Sequence, residues 1–235
     1  MENHSQATQH MEAEMGHATG LEQDPASGTG MQPLPLALLF AGALGGMTAL
    51  VFLVVETPLL LGLDPGWMAR VEPYAWILHI HAACGVFALF SGPFQFVPWV
   101  RDHRPRLHQA LGYGYVTAVA IAGPLAVWIA LKHTTPSEGL ASTAQGVLWL
   151  FTTAAALVAV RSRDIRTHRL WMARSYALTF TFVLHRFIVQ LLGFRLPDDA
   201  GGTAAFVWML TLASVLVSDA IVGFYKPARA PAAGR

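Results

Sequence analysis

The sequence predicts an all-α membrane protein, a bundle of about six transmembrane helices with a disordered N-terminal tail. Of its 235 residues, 54% are hydrophobic and only 12% are charged. An α-helix needs about 20 mostly apolar residues to cross a hydrocarbon core of about 30 Å. Six stretches reach that length: residues 35–62, 74–99, 108–131, 141–160, 170–193 and 204–225. Most of the chain is therefore expected to lie within the bilayer.

The domain boundaries follow from composition along the chain. Residues 1–32 contain few aromatic or β-branched side chains and many Gly, Ser, Gln and Glu, so they cannot bury enough surface to fold alone. We predict a disordered tail over 1–32, a six-helix transmembrane domain over 33–226 and a short basic tail over 227–235. A leader that is long and polar, rather than short and basic, is not typical of a cleaved signal peptide.

The N-terminal tail also carries a loose set of soft metal ligands. These are His4, His10, Met11, Met15 and His17. Imidazole and thioether groups suit Cu(I) and other transition metals, so metal binding by the tail is one hypothesis. Chance spacing in an unstructured segment is the alternative.

The Lys and Arg residues indicate the orientation of the bundle. With six spans both termini share one face, here named side A, and the opposite face is side B. Side A carries eleven Lys and Arg residues, whereas side B carries Arg70, Lys132 and Arg195. Because positive loops resist translocation, we predict a multi-pass protein of the inner (plasma) membrane with side A and both termini in the cytoplasm. This topology explains the arginines better than nucleic-acid binding does, and the lipid bilayer is the expected partner.

Motifs of soluble enzymes are absent from the sequence. Its one cysteine, Cys84, excludes an intrachain disulfide and a CxxC pair, and we interpret it as a small buried residue. No phosphate-binding GxxxxGK[ST], dinucleotide-binding GxGxxG, HExxH or GxSxG pattern occurs. Whether the protein is an enzyme is left open by the sequence.

Four histidines form two pairs at matching depth. His81 and His185 each lie about 8 residues, or about 12 Å, from side B, whereas His108 and His168 lie at the side A boundary. Helical phase supports the pairing, because the 17 residues from His168 to His185 return within about 20° of the same direction. One face of the fifth predicted helix therefore carries both histidines.

The helix stripe through His81 is lined by small residues. Gly85, Ala88 and Gly92 follow at spacings of four, three and four. Small residues let another group approach closely, either a neighbouring helix or the flat face of a porphyrin.

The histidine pairs suggest haem b. Two imidazoles from facing helices fill both axial sites of a six-coordinate haem iron, which suits electron transfer. The hypothesis is that His81, His108, His168 and His185 bind one or two b haems, that Arg174 neutralises a propionate, and that a quinone or another redox partner exchanges electrons. The alternative is a cofactor-free transporter or an interaction protein, in which interfacial histidines contact headgroups and buried ones bind carbonyls.

Charged residues within the spans also pair by depth. Glu56 and Arg186 both lie in the side B half, and Asp219 and Arg174 both lie in the side A half. An unpaired buried charge costs several kcal/mol, so we predict two structural ion pairs. The alternative is a proton or quinone site at Glu56 or Asp219.

Three stretches resemble a bacterial family of predicted membrane proteins, the domain-of-unknown-function family 2306. The matching residues are His81, Ser91, Gly92, Pro93, Phe94, Gln95, Phe96, Arg104, Pro105, His108, Leu111, Gly112, Tyr115, His168, Arg169, Trp171, Met172, Arg174, Ser175, Tyr176, Ala177 and Arg186. The resemblance covers roughly residues 75–190 and implies an architecture and a set of marked positions, but no reaction. It includes three of the four paired histidines and not His185. The general layout is similar to that of diheme b-type membrane cytochromes.

Overall fold

The computed structural model describes residues 33–197 and 200–224, which are almost entirely helical. Helix α1 (Pro33–Val51) continues through a π-helical turn (Phe52–Glu56) and a last α-helical turn (Thr57–Leu60). The remaining helices are α2 (Pro65–Val71), α3 (Ala75–Phe96), α4 (Pro98–His103), α5 (Pro105–His133), α6 (Pro136–Arg161), α7 (Ile165–Arg186) and α8 (Ala200–Phe224). A 3₁₀ turn (Glu72–Tyr74) joins α2 to α3, and a π-helical turn (Phe187–Leu191) extends α7. The two predicted tails, with the histidines and methionines of the first, lie outside the described residues.

The predicted all-helical membrane bundle is confirmed. In the part of the chain that the structure describes, five segments are long and apolar enough to cross a membrane: Gly42–Leu60, Pro65–Phe96, Pro105–His133, Pro136–Arg161 and Gly201–Gly223. The span predicted over residues 170–193 corresponds to α7, which is less apolar because histidines and arginines lie along it. Together with its π-helical turn, α7 has 27 residues and is about 40 Å long, enough to cross the bilayer.

Proline and aspartate determine where several helices begin. A proline occupies the first turn of α2, α4, α5 and α6, where its missing N–H costs no intrahelical hydrogen bond. The Asp64 carboxylate accepts a hydrogen bond from the Trp67 amide at 3.0 Å, and Asp164 accepts one from the Thr167 amide at 3.0 Å. As a result, α5 and α6 begin three and five residues before the apolar stretches that predicted them.

The helix α7 lies among several neighbours. Consecutive helices pack in the order α3, α5, α6, α7 and α8, while α8 also packs against α6, and α3 also contacts α7. Helix α1 joins through an apolar cluster in which Val51 meets Phe180 and Val183 of α7. Because protein surrounds it, α7 can hold polar side chains that lipid would exclude.

Close packing of α3 against α7 depends on a glycine. A Cβ atom added at Gly92 would lie 2.2 Å from the ring of Tyr176, whereas one added at Gly85 would meet nothing within 4 Å. Ala88, between them in the sequence, is fully buried. Along the small-residue stripe, protein therefore covers Ala88 and Gly92 but leaves Gly85 open.

A buried polar network joins α5, α6 and α7 at the centre of the bundle. The Tyr115 hydroxyl forms hydrogen bonds with Ser175 at 2.8 Å and with Thr179 at 2.7 Å. Ser175 also bonds Thr153 at 2.7 Å, and the indole N–H of Trp149 donates to Thr179 at 2.8 Å. Each of these polar groups has a partner, so the network specifies how the three helices pack.

Candidate functional site

Two ion pairs lie within the bundle, with the partners expected from depth. The guanidinium of Arg174 donates to both carboxylate oxygens of Asp219 at 2.7 Å, and Arg186 contacts Glu56 at 3.0 Å. Arg174 also lies over the Trp171 ring, 4.5 Å from its centroid. Two of the donor nitrogens of Arg174 are thus occupied by Asp219, which limits its capacity to hold a propionate.

His168, near the start of α7, is held by α6. Its Nδ1–H donates to the carbonyl of Ala156 at 2.9 Å. A carbonyl accepts only, so this hydrogen bond requires the proton on Nδ1, and in the neutral form of the imidazole the lone pair is then on Nε2. Metal-binding histidines commonly have this arrangement, because the second hydrogen bond orients the ring.

His108, near the start of α5, lies beside His168. The two imidazoles are close enough to interact electrostatically, and His108 also interacts with Arg101 and Asp102. The Nδ1 atom of His108 is buried and has no hydrogen-bond partner among the described residues. The structure therefore brings together the pair predicted at side A. The Nδ1 atom of His168 has a hydrogen-bond partner, whereas the Nδ1 atom of His108 has none among the described residues.

His81 has the same kind of anchor in the other half of the bundle. Its Nδ1–H donates to the carbonyl of Ala122 on α5 at 3.0 Å, which again leaves Nε2 with a lone pair. A groove of about 420 Å³ lies one helical turn away between α3 and α5, and residues such as Cys84 and Ala118 line it. This groove is mostly apolar.

His185, the predicted partner of His81, contacts other helices. Its ring lies 5.4 Å from that of Phe206 on α8 and 6.4 Å from that of Phe182, and it interacts electrostatically with Glu138 of α6. Its Nε2 is buried without a hydrogen-bond partner in the described part of the chain. Within residues 33–197 and 200–224, no hydrogen bond or ring contact joins His185 to His81, so their pairing stays a prediction.

Gln95, at the end of α3, is a polar residue that the predicted site does not include. Its Nε2 is buried and unpaired among the described residues, and its Oε1 lies 3.3 Å from where a Cβ on Gly112 would be. Gly112 is one helical turn after His108 on α5, so the amide reaches the same end of the bundle. A glutamine within the apolar stretch from Phe94 to Val97 was the available signal, because polar groups at membrane depth are costly.

The motif stretches converge at the side A end of the bundle. Residues 91–96 end α3, residues 104–115 begin at the start of α5, and residues 168–177 lie in the first half of α7. These stretches lie together because α3 ends, and α5 and α7 both begin, at the same end of the bundle. The unpaired atoms of Gln95 and His108 and the Nε2 of His168 all belong to them.

Two aspartates at this end, Asp102 and Asp164, have carboxyl pKa values that are lowered by their neighbours. The Arg101 guanidinium donates to Asp102 at 2.8 and 3.2 Å and lowers the pKa of that carboxyl, with smaller contributions from His103 and Arg169. Hydrogen bonds from the side chain and backbone of Thr167 lower the pKa of Asp164.

The described residues contain no cluster of metal-binding side chains. In the described ranges, no group of three or more His, Cys, Asp and Glu residues could hold a metal ion. Haem needs only two axial ligands from the protein.

A family model described as a predicted membrane protein, DUF2306, matches residues 78–222. No curated protein and no solved structure matches the chain.

Proposed function

The chain belongs to the DUF2306 family of predicted membrane proteins, and we propose that it is a membrane electron-transfer protein that binds haem b through His108 and His168. The observation that carries the proposal is the side A pair of neighbouring imidazoles, in which His168 keeps a lone pair on Nε2 and His108 has a buried, unpaired nitrogen.

The chemistry of the side chains fits an axial ligand pair. Haem iron accepts a neutral imidazole nitrogen, and the Ala156 carbonyl holds His168 in the tautomer that offers Nε2. Leaving a buried polar atom unpaired costs about 1–3 kcal/mol, and ligand binding would remove that cost at His108. Bound haem would supply reversible one-electron transfer. Arg169 is a nearby cation that suits a propionate, whereas Arg101 is engaged by Asp102 and Arg174 by Asp219.

We also propose a second haem, bound by His81 and His185 in the side B half. His81 has the same carbonyl-anchored tautomer as His168, and His185 has an unpaired buried Nε2. Seventeen residues of α7 separate His168 from His185, about 25 Å along the helix axis. Two sites at those depths would carry an electron across the membrane, with a quinone or another redox partner at one face.

An absorption spectrum tests the proposal. Protein expressed with a haem supply is purified and reduced with dithionite, and we expect Soret and α bands. His168→Ala should lose these bands, or keep only those of a side B haem where one is bound, and His108→Ala should weaken or shift them. His103→Ala is the matched control, because its ring stacks on Trp99 outside the pair. A colourless, folded protein would refute haem binding. Bands unchanged in both His108→Ala and His168→Ala would refute this site, and loss in His81→Ala would assign the haem to side B.

A second candidate is a cofactor-free membrane transporter or interaction protein. It is favoured by the central hydroxyl network, in which Tyr115 and its neighbours are fully hydrogen-bonded without any ligand. This candidate predicts a colourless protein whose His168→Ala variant unfolds at nearly the same temperature as the wild type.

We propose that the protein lies in the inner (plasma) membrane and that side A faces the cytoplasm. The side A arginines support it, since cytoplasmic loops carry an excess of Lys and Arg. Fluorescent-protein fusions to the C-terminus are expected to fluoresce, and alkaline phosphatase fusions there are expected to be inactive. The opposite pattern would reverse the topology.

A further inference from the structure

Six exposed arginines lie at the side A end of the bundle. This arginine surface comprises Arg104, Arg106, Arg161, Arg163, Arg166 and Arg169. They come from two connections, between α3 and α5 and between α6 and α7, and the electrostatic contact of Asp102 with Arg169 brings the two connections together. One end of the molecule thus presents a concentrated positive charge.

The nearby carboxylates do not neutralise this surface. Asp102 is paired with Arg101, which is not one of the six, and Asp164 caps the start of α7. Asp164 also interacts electrostatically with Arg166, but none of the six forms an ion pair within residues 33–197 and 200–224. As far as residues 33–197 and 200–224 are concerned, the guanidinium groups are thus available for an external anion.

Arg163 has a backbone conformation that favours glycine. Its φ is 61°, in the left-handed region, and it lies in the turn that follows α6. In this turn the backbone N–H of Arg163 donates to the Val160 carbonyl, and the backbone N–H of Asp164 donates to the Ala159 carbonyl. Glycine usually occupies this position after a helix, because a Cβ is unfavourable there. An arginine here brings a guanidinium to the arginine surface at a conformational cost.

Apolar side chains border the arginine surface. Trp99 is 52% exposed, and Leu107 and Ile165 are each 47% exposed. Arg104 lies over the Trp99 ring, 5.9 Å from its centroid. Exposed tryptophan and aliphatic groups directly below arginines are typical of the interface between lipid chains and headgroups. This border distinguishes the surface from one that would meet a soluble anion.

From these observations we infer that the arginine surface binds the headgroups of anionic phospholipids. Guanidinium groups bind phosphate through paired hydrogen bonds, and the apolar border contacts the acyl chains of the same lipid. The inference does not require haem, and Arg169 is the one residue that it shares with the haem proposal. It assigns to the side A end a lipid partner in addition to its histidine pair.

Spin-labelled lipids measure this binding directly. The full-length protein is reconstituted in phosphatidylcholine, and the motionally restricted fraction of labelled phosphatidylglycerol is compared with that of labelled phosphatidylcholine. We expect a preference for phosphatidylglycerol that falls as salt is raised, with each arginine contributing up to about fivefold.

Two variants separate lipid binding from a structural role. Arg163→Gly relieves the left-handed conformation, so we expect an unchanged or higher melting temperature together with a reduced preference, and Arg163→Gly with Arg166→Gln is expected to reduce it further. The control replaces the exposed side B residues Arg70 and Arg195 with glutamine, which should preserve the preference. No preference in the wild type, retention in the side A double variant, or an equal loss in the control would each overturn the inference.

Discussion

The hydroxyl of Thr179 is expected to be more important to stability than the larger phenol of Tyr115. Thr179 is 91% buried and accepts the indole N–H of Trp149 at 2.8 Å. Thr179→Val removes that acceptor and leaves the indole, which can only donate, with its weaker interaction with the Tyr115 hydroxyl. A poorly paired buried donor costs about 1–3 kcal/mol. We therefore expect a loss of about 2 kcal/mol in the free energy of unfolding.

Tyr115→Phe is the comparison, because it leaves every neighbour with a partner. Ser175 still bonds Thr153, and Thr179 still donates to the Ser175 carbonyl at 2.9 Å and accepts from Trp149. Side-chain hydrogen bonds in membrane proteins average about 0.6 kcal/mol, so the two lost bonds should cost about 1 kcal/mol. The tyrosine variant is thus expected to be the more stable of the two.

Equilibrium unfolding in mixed micelles, followed by circular dichroism, gives the two free energies. Thr179→Ser keeps the hydroxyl and should lose only the contribution of one methyl group, about 0.8 kcal/mol. Adding Trp149→Phe to Thr179→Val removes the poorly paired donor, so the double variant should be more stable than the sum of the single effects predicts. A Tyr115→Phe loss equal to or above that of Thr179→Val would refute the assignment of the cost to the indole.

Two other sites give matched predictions. Gly92→Ala places a Cβ 2.2 Å from the Tyr176 ring and should cost about 1–3 kcal/mol in the free energy of unfolding. The Cβ of Gly85→Ala meets nothing within 4 Å, so this variant should be neutral or slightly stabilising. Equal melting temperatures of the two variants would contradict this packing. Asp219→Asn removes the anion held by Arg174 and, because the aspartate side chain is 37% exposed, should cost up to about 1 kcal/mol. A double-mutant cycle with Arg174→Gln that gives no coupling would show that the pair adds nothing.

The ion pairs illustrate what depth along a helix predicts. Glu56 and Arg186 share a level of the bilayer, as do Asp219 and Arg174, and an unpaired charge at that depth is costly. Few alternative partners exist at each level, so the residues that meet in the structure could be expected from the sequence. The helix starts were less accurate, because proline and aspartate begin helices before the apolar stretch does.

The histidines illustrate what depth does not determine. His81 and His185 are predicted to share a level, yet His81 bonds Ala122 of α5 while His185 contacts Phe206 of α8. Residue spacing specifies the level and the face of each side chain, but the lateral order of helices depends on packing across the whole bundle. Gln95 was missed for the same reason, since its proximity to His108 depends on how closely α3 approaches α5 at Gly112.

The sequence by itself determined the membrane bundle, its approximate spans and the level of each charged or histidine side chain. These properties depend on local composition and on the rise of a helix, both of which are present in a single segment. Only the tertiary structure decided which helices surround α7, and therefore which histidines meet. The polar character of α7 is compatible with the bilayer because neighbouring helices, rather than lipid, cover its hydroxyls.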